Sequence, residues 1–153
     1  MPFPFYVYCE IPAPLLYERG DGSFQIMEQT ALPPFIGGYG YLLVECALAE
    51  HLQALGVERI AFEPAVLVDP VTKQEHRTHT RIRVRQFFSP DQLSDLCLDG
   101  LRMLALDDQH YFASPDLKVA LAASPFSYLR FREGLNEFAA QLHLGNHFPH
   151  ICL

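Results

Sequence analysis

Six aspartates gather in one stretch of the chain: Asp91, Asp95, Asp99, Asp107, Asp108 and Asp116. The first three recur every four residues, a spacing that places three carboxylates along one face of a helix. Like charges at that spacing repel by a few tenths of a kcal/mol per pair, so a chain keeping such a face gains from a complementary cationic partner. Arg102 and Lys118 are the basic residues nearby. This is the chemistry of recognition rather than bond making, and the plain alternative is a solvated, well-capped helix face. Tyr39 and Tyr41, in the loop Gly37-Gly38-Tyr39-Gly40-Tyr41, are candidate apolar anchors for the same partner. Phe3, Phe5 and Tyr6 near the N-terminus are further candidates, and core packing is the alternative for all of these rings.

Arg81, Arg83 and Arg85 alternate with Ile82 and Val84, so a strand there presents three guanidinium groups on one face. That face can be solvated or salt-bridged, can meet an acidic patch of a partner, or can hold an anionic substrate. Seven histidines invite a metal reading, with His143, His147, His150 and Cys152 as the densest set. Gly145-Asn146 interrupts that set, His76-x-x-His79 has no matched second pair, and HExxH does not occur, so no metal site is expected. No cofactor is expected either. The glycine-rich loop lacks both the GxGxxG spacing and a following Lys-Ser/Thr, and no GxSxG surrounds any serine.

The elements that must position these residues follow from periodicity and punctuation. Leu48, Leu52 and Leu55 form one apolar helical stripe, with Gly56 as the stop. Residues 59–63 and 66–68 read as extended chain up to a turn at Asp69-Pro70, with a strand from Thr80 to Phe88 returning antiparallel. Ser89-Pro90-Asp91 starts a helix running to about Leu98. Strands 102–106 and 110–113 flank a turn at Asp107-Asp108. Ser114-Pro115-Asp116 opens a helix through Ala123, followed by a strand at 128–132 and a last helix at 135–144. Laying residues 44–64 over 113–133, an offset of 69, gives a weak internal strand–helix–strand repeat in which Leu48 matches Leu117 and Leu52 matches Leu121. The first forty residues, rich in proline and glycine, read as an irregular strand-and-loop arm laid on the domain, and residues 145–153 as a tail.

The whole is expected to be α+β: a single domain over 1–153, with a mixed sheet flanked by amphipathic helices. With 153 residues, half of them hydrophobic, the chain can bury a core without disulfide staples. Cys9, Cys46, Cys97 and Cys152 are widely spaced and read as reduced thiols packed as small hydrophobes. Met1–Tyr8 has no cationic start and two prolines, so no secretory signal is expected. The uncharged run Gln29–Val44 is too short and too broken to span a bilayer. Eleven Lys and Arg against eighteen Asp and Glu give a formal charge of −7, which argues against general nucleic-acid binding and suits a basic partner.

The segment from Tyr111-Phe112-Ala113-Ser114-Pro115-Asp116-Leu117 through Tyr128-Leu129-Arg130-Phe131 resembles a phrase of bacterial immunity proteins from polymorphic-toxin and type VI secretion effector systems. Leu43-Val44-Glu45 through Ile60-Ala61-Phe62-Glu63-Pro64 is similar to an earlier helix-then-strand segment of that family. Tyr128 stands where the family often has glycine, and the match covers about residues 40–133. The resemblance implies a cytoplasmic, non-enzymatic binder that neutralises a cognate toxin. A basic nuclease domain is the partner that best suits the charge. The other reading is a small ligand-binding or enzymatic domain that uses the Arg81–Arg85 face for an anionic substrate. Oligomeric state is left open.

Overall fold

Successive residues of the most apolar segments point to opposite faces, and both faces are covered. In the computed structural model, which describes residues 2–135, Met103 and Ala105 enter one buried cluster while Leu104 and Leu106 enter another. Leu42 and Val44 likewise share a cluster, and Leu43 faces away from it into a third. A strand buried on both sides reads as a continuous apolar run, as Met103–Leu106 does. The structure is α+β, with mixed sheets and a few helices.

In chain order the elements are β1 (Phe5–Cys9), β2 (Leu16–Glu18), β3 (Phe24–Ile26), β4 (Phe35–Gly38), β5 (Tyr41–Glu45), α1 (Cys46–Leu55), β6 (Ile60–Val68), β7 (Glu75–Val84) and β8 (Phe87–Phe88). A short 3-10 turn (Pro90–Asp95) then leads to β9 (Met103–Leu106), β10 (His110–Ala113), α2 (Pro115–Ala122) and β11 (Leu129–Glu133). They form two sheets rather than the one expected. One has the order β11-β1-β10-β9-β8, the other β2-β3-β6-β7-β5-β4. Among the described strands only β8–β9 and β3–β6 pair in parallel.

Each helix connects two parallel strands that an antiparallel strand separates. β7 lies between β5 and β6, and β1 between β10 and β11. Leu48 and Leu52 of α1 and Leu117 and Leu121 of α2 all enter the one cluster where both sheets meet. α1 stops where expected, at Gly56, whose left-handed φ of +77° lets its N–H reach the Gln53 carbonyl. α2 starts as expected at Ser114, whose hydroxyl accepts from the Leu117 N–H.

Four further expectations are corrected. The N-terminal segment is not an arm laid on the domain: β1 is inserted in the middle of a sheet, paired with β10 on one side and β11 on the other. The segment after Ser89 is not a helix to Leu98. The start signal is used, with the Gln92 side chain accepting from the Ser89 N–H, but the turn ends at Asp95 and Leu96 is extended. Leu93 and Leu98 both enter the cluster beneath. An α-helix would set two residues five apart about 140° from each other, so the chain unwinds to bury both. Cys97 is exposed rather than packed, whereas Cys9 and Cys46 are half-buried. Finally, Arg81 is buried at 5% exposure instead of standing on an open face. The last expected helix, apart from Leu135, and the His143–Cys152 set lie outside the described residues.

Candidate functional site

The tips of two hairpins, one from each sheet, are locked together. In the first, β4 and β5 are joined by Tyr39 and Gly40, and the glycines flanking Tyr39 have separate jobs. A Cβ on Gly38 would sit 2.1 Å from Cζ of Tyr41, so only glycine lets that ring lie across the strand. Gly40 takes a φ of +83°, a turn conformation costly for other residues. In the second hairpin Asp107 and Asp108 both adopt left-handed backbone, and the Gln109 N–H closes the turn on the Leu106 carbonyl at 3.2 Å. The Gly40 N–H donates to the Asp108 carbonyl at 2.7 Å. From the other side Nη2 of Arg81 donates to the Gly40 carbonyl at 2.9 Å.

Arg81 is the buried centre of this arrangement. Its Nη1 donates to Glu18 at 2.7 Å, and its guanidinium lies 5.3 Å over the Phe24 ring, which also packs on Tyr41. Glu18 on β2 and Gly40 beside β4 belong to opposite edges of one sheet, so the pair draws those edges together across the sheet's face. Arg83, two residues on, pairs with Glu63 at 3.1 Å on the exposed surface. β7 ends at Val84, before Arg85. The expected stripe of three guanidiniums on one strand face therefore resolves into one buried and one surface ion pair, with the third residue past the strand.

Between the hairpins lies a pocket of about 210 Å³ lined by Gly40, Tyr41, Arg81, Arg83, Phe87, Asp108 and Tyr111, among others. Burial, then the Asp108 carboxylate, push the Tyr111 phenol up to about 12, and burial also raises Tyr41. Both are neutral hydroxyls at physiological pH. Tyr39, next to the lining residue Gly40, is 76% exposed, and Phe87 in the lining is 60% exposed. Neither Asp107 nor Asp108 forms an ion pair among the described residues.

Of the residues singled out from sequence, Tyr39, Tyr41, Arg81, Arg83, Asp107 and Asp108 come together here. Asp99 and Asp116 flank the opposite end of the β9–β10 hairpin, roughly 13 Å away at the rise of four extended residues. Asp91 and Asp95 stand on the 3-10 turn, where four residues of separation turn the side chains about 120° apart, so they share no helical face. Phe3 and Tyr6 pack against a buried cluster, and Tyr41 is partly core as well as pocket wall. Phe87 and Tyr111 were not singled out. Two phenylalanines in succession on a strand must point to opposite sides, and that was the available signal: Phe88 is buried and Phe87 is not.

A larger groove of about 740 Å³ runs beside the start of β7, lined by Glu28, Glu45, Asp69, His76 and His79, among others. Much of its polar lining is already committed to structure. The His79 ring is hydrogen-bonded to the Pro33 carbonyl and the Thr78 hydroxyl, both at 2.8 Å. The Asp69 carboxylate accepts from the N–H groups of Val71 and Thr72, which lower its pKa, and Glu28 accepts from the Leu15 N–H. No group of three or more potential metal ligands assembles among the described residues. No helix among them is long and apolar enough to cross a membrane.

Comparison with protein-family models, with curated proteins and with solved structures returns no match.

Proposed function

We propose that the chain is an immunity-type binding protein of the bacterial cytoplasm that neutralises a secreted toxin by tight association. The toxin class we favour is a nuclease, whose basic surface complements the formal charge of −7. One observation carries the reading: the joined hairpin tips hold Tyr39 in solvent beside Asp107 and Asp108, whose carboxylates form no ion pair among the described residues, and Phe87 of β8 is exposed on the pocket they frame. Exposed aromatic anchors beside unpaired charge suit a protein interface, where rings set the lifetime of the complex and charges speed its formation. Asp91, Asp95, Asp99 and Asp116 remain part of the proposal as longer-range contributors to the negative field.

The test is affinity purification of the tagged chain from its own cells, with mass spectrometry of what stays bound. A stoichiometric toxin domain is expected. Its association should slow with added salt and slow further when Asp107 and Asp108 are changed to Lys. Tyr39→Ala should speed dissociation, weakening the complex by about 2 kcal/mol, or roughly thirtyfold in Kd. A chain recovered alone while its gene neighbours are expressed would overturn the binder. A captured toxin indifferent to all three substitutions would move the interface elsewhere.

A further inference from the structure

The pocket beneath the exposed rim has walls of opposite charge. On one side Arg81 has its Nη groups on Glu18 and Gly40, while its Nε has no hydrogen-bond partner, although the side chain is only 7% exposed. Arg83 commits Nε to Glu63 and leaves its Nη groups without a hydrogen bond among the described residues. On the other side stands Asp108, with no ion pair among the described residues. Tyr41 and Tyr111 add phenols, and Phe87 adds an apolar ring at 60% exposure.

A simple anion entering this space meets Asp108, and a simple cation meets two guanidinium groups. Each matches only one wall: a lone anion leaves Asp108 without a partner, and a lone cation leaves the Nη donors of Arg83, whose Nε is already held by Glu63, without an acceptor. A molecule carrying both charges a few ångströms apart satisfies both. We propose that this pocket binds a small zwitterion, a free α-amino acid, with its carboxylate toward Arg81 and Arg83 and its ammonium toward Asp108. The ligand's side chain then lies against Phe87. A pocket of about 210 Å³ is large enough to admit one amino acid. Arg83, exposed and with its Nη groups free of hydrogen bonds among the described residues, offers the donors for the ligand carboxylate, and Arg81 adds positive charge behind it. This site needs no protein partner, and it goes beyond the toxin-binding reading.

The experiment is an NMR titration of the ¹⁵N-labelled full chain with each of the twenty amino acids in turn, and with acetate, methylammonium and inorganic phosphate. Saturable shifts centred on Gly40, Asp108 and Tyr111 are expected for at least one amino acid. Acetate and methylammonium should each bind roughly tenfold more weakly or worse, the effect of losing one charge-assisted hydrogen bond. Asp108→Asn and Arg83→Gln should each weaken the amino acid by a similar factor, with the unperturbed remainder of the spectrum reporting an intact fold. Acetate or phosphate binding as tightly as the amino acid would replace the proposal with a plain anion site. Equal binding of methylammonium would make it a cation site. Failure of all twenty to saturate would dismiss it, and none of these outcomes bears on whether a toxin is captured.

Discussion

Ser114 has no exposed surface and holds three backbone groups at once. Its hydroxyl accepts from the N–H groups of Leu117 and Arg102 and donates to the Gly100 carbonyl at 2.7 Å. Ser114→Ala therefore removes a helix cap and orphans buried groups together. The expected cost is about 2 kcal/mol in urea unfolding, or a fall in Tm of about 4–8 °C. The Arg81–Glu18 pair predicts an asymmetry. Glu18 is 40% exposed and can rehydrate when its partner is lost, whereas Arg81 cannot. Glu18→Gln should thus cost about 3 kcal/mol and Arg81→Leu clearly less, and the reverse order in denaturant titrations would refute the account. Tyr111 adds a pH dependence. Its folded value is pushed up to about 12 while the unfolded phenol ionises near 10, so from about pH 10 the unfolded state sheds the proton first. Stability is complete below that pH and falls between about 10 and 12. Tyr111→Phe should flatten this part of an alkaline unfolding curve.

The Asp107-Asp108 turn is an element whose local stability and recognition chemistry conflict. Both residues hold φ near +55°, where Asn and Gly are at ease and aspartate is less so. The double variant Asp107→Asn, Asp108→Gly should raise stability by about 0.5–1 kcal/mol in thermal unfolding, while slowing association with a basic partner. A variant that loses stability would show that the carboxylates hold the turn together. This turn and its two strands were legible from sequence because Asp-Asp between apolar runs is a local signal, as were the stop at Gly56 and the start at Ser114. The 3-10 turn was not. Ser89-Pro90-Asp91 announces a start, but where the turn ends depends on Leu93 and Leu98 reaching a cluster built by Leu104, Leu106 and Phe112, which no local pattern specifies. The site divides in the same way. The exposed loop tips could be read from glycine and aspartate, whereas the burial of Arg81 depends on Glu18 and Gly40 arriving from distant edges of a sheet.

For the molecule as a whole, the largest departure from the sequence reading is the place of β1. Its flanking prolines and glycine-rich sequel look like loose chain, and nothing local says that Phe5–Cys9 will lie between two strands from the other end of the protein. Deleting β1 should abolish cooperative thermal unfolding, because β10 and β11 lose the strand they share and Val7 leaves the central cluster. Trimming a peripheral arm would leave a sharp transition instead. The same pairing has a consequence in time. Phe5 leaves the ribosome early, yet its partner Glu133 is translated on the order of ten seconds later. Until β10 and then β11 arrive, β1 is an apolar ribbon with at least one unpaired edge, a ready substrate for chaperones. On our functional reading, protection against the toxin begins only when translation has delivered β11.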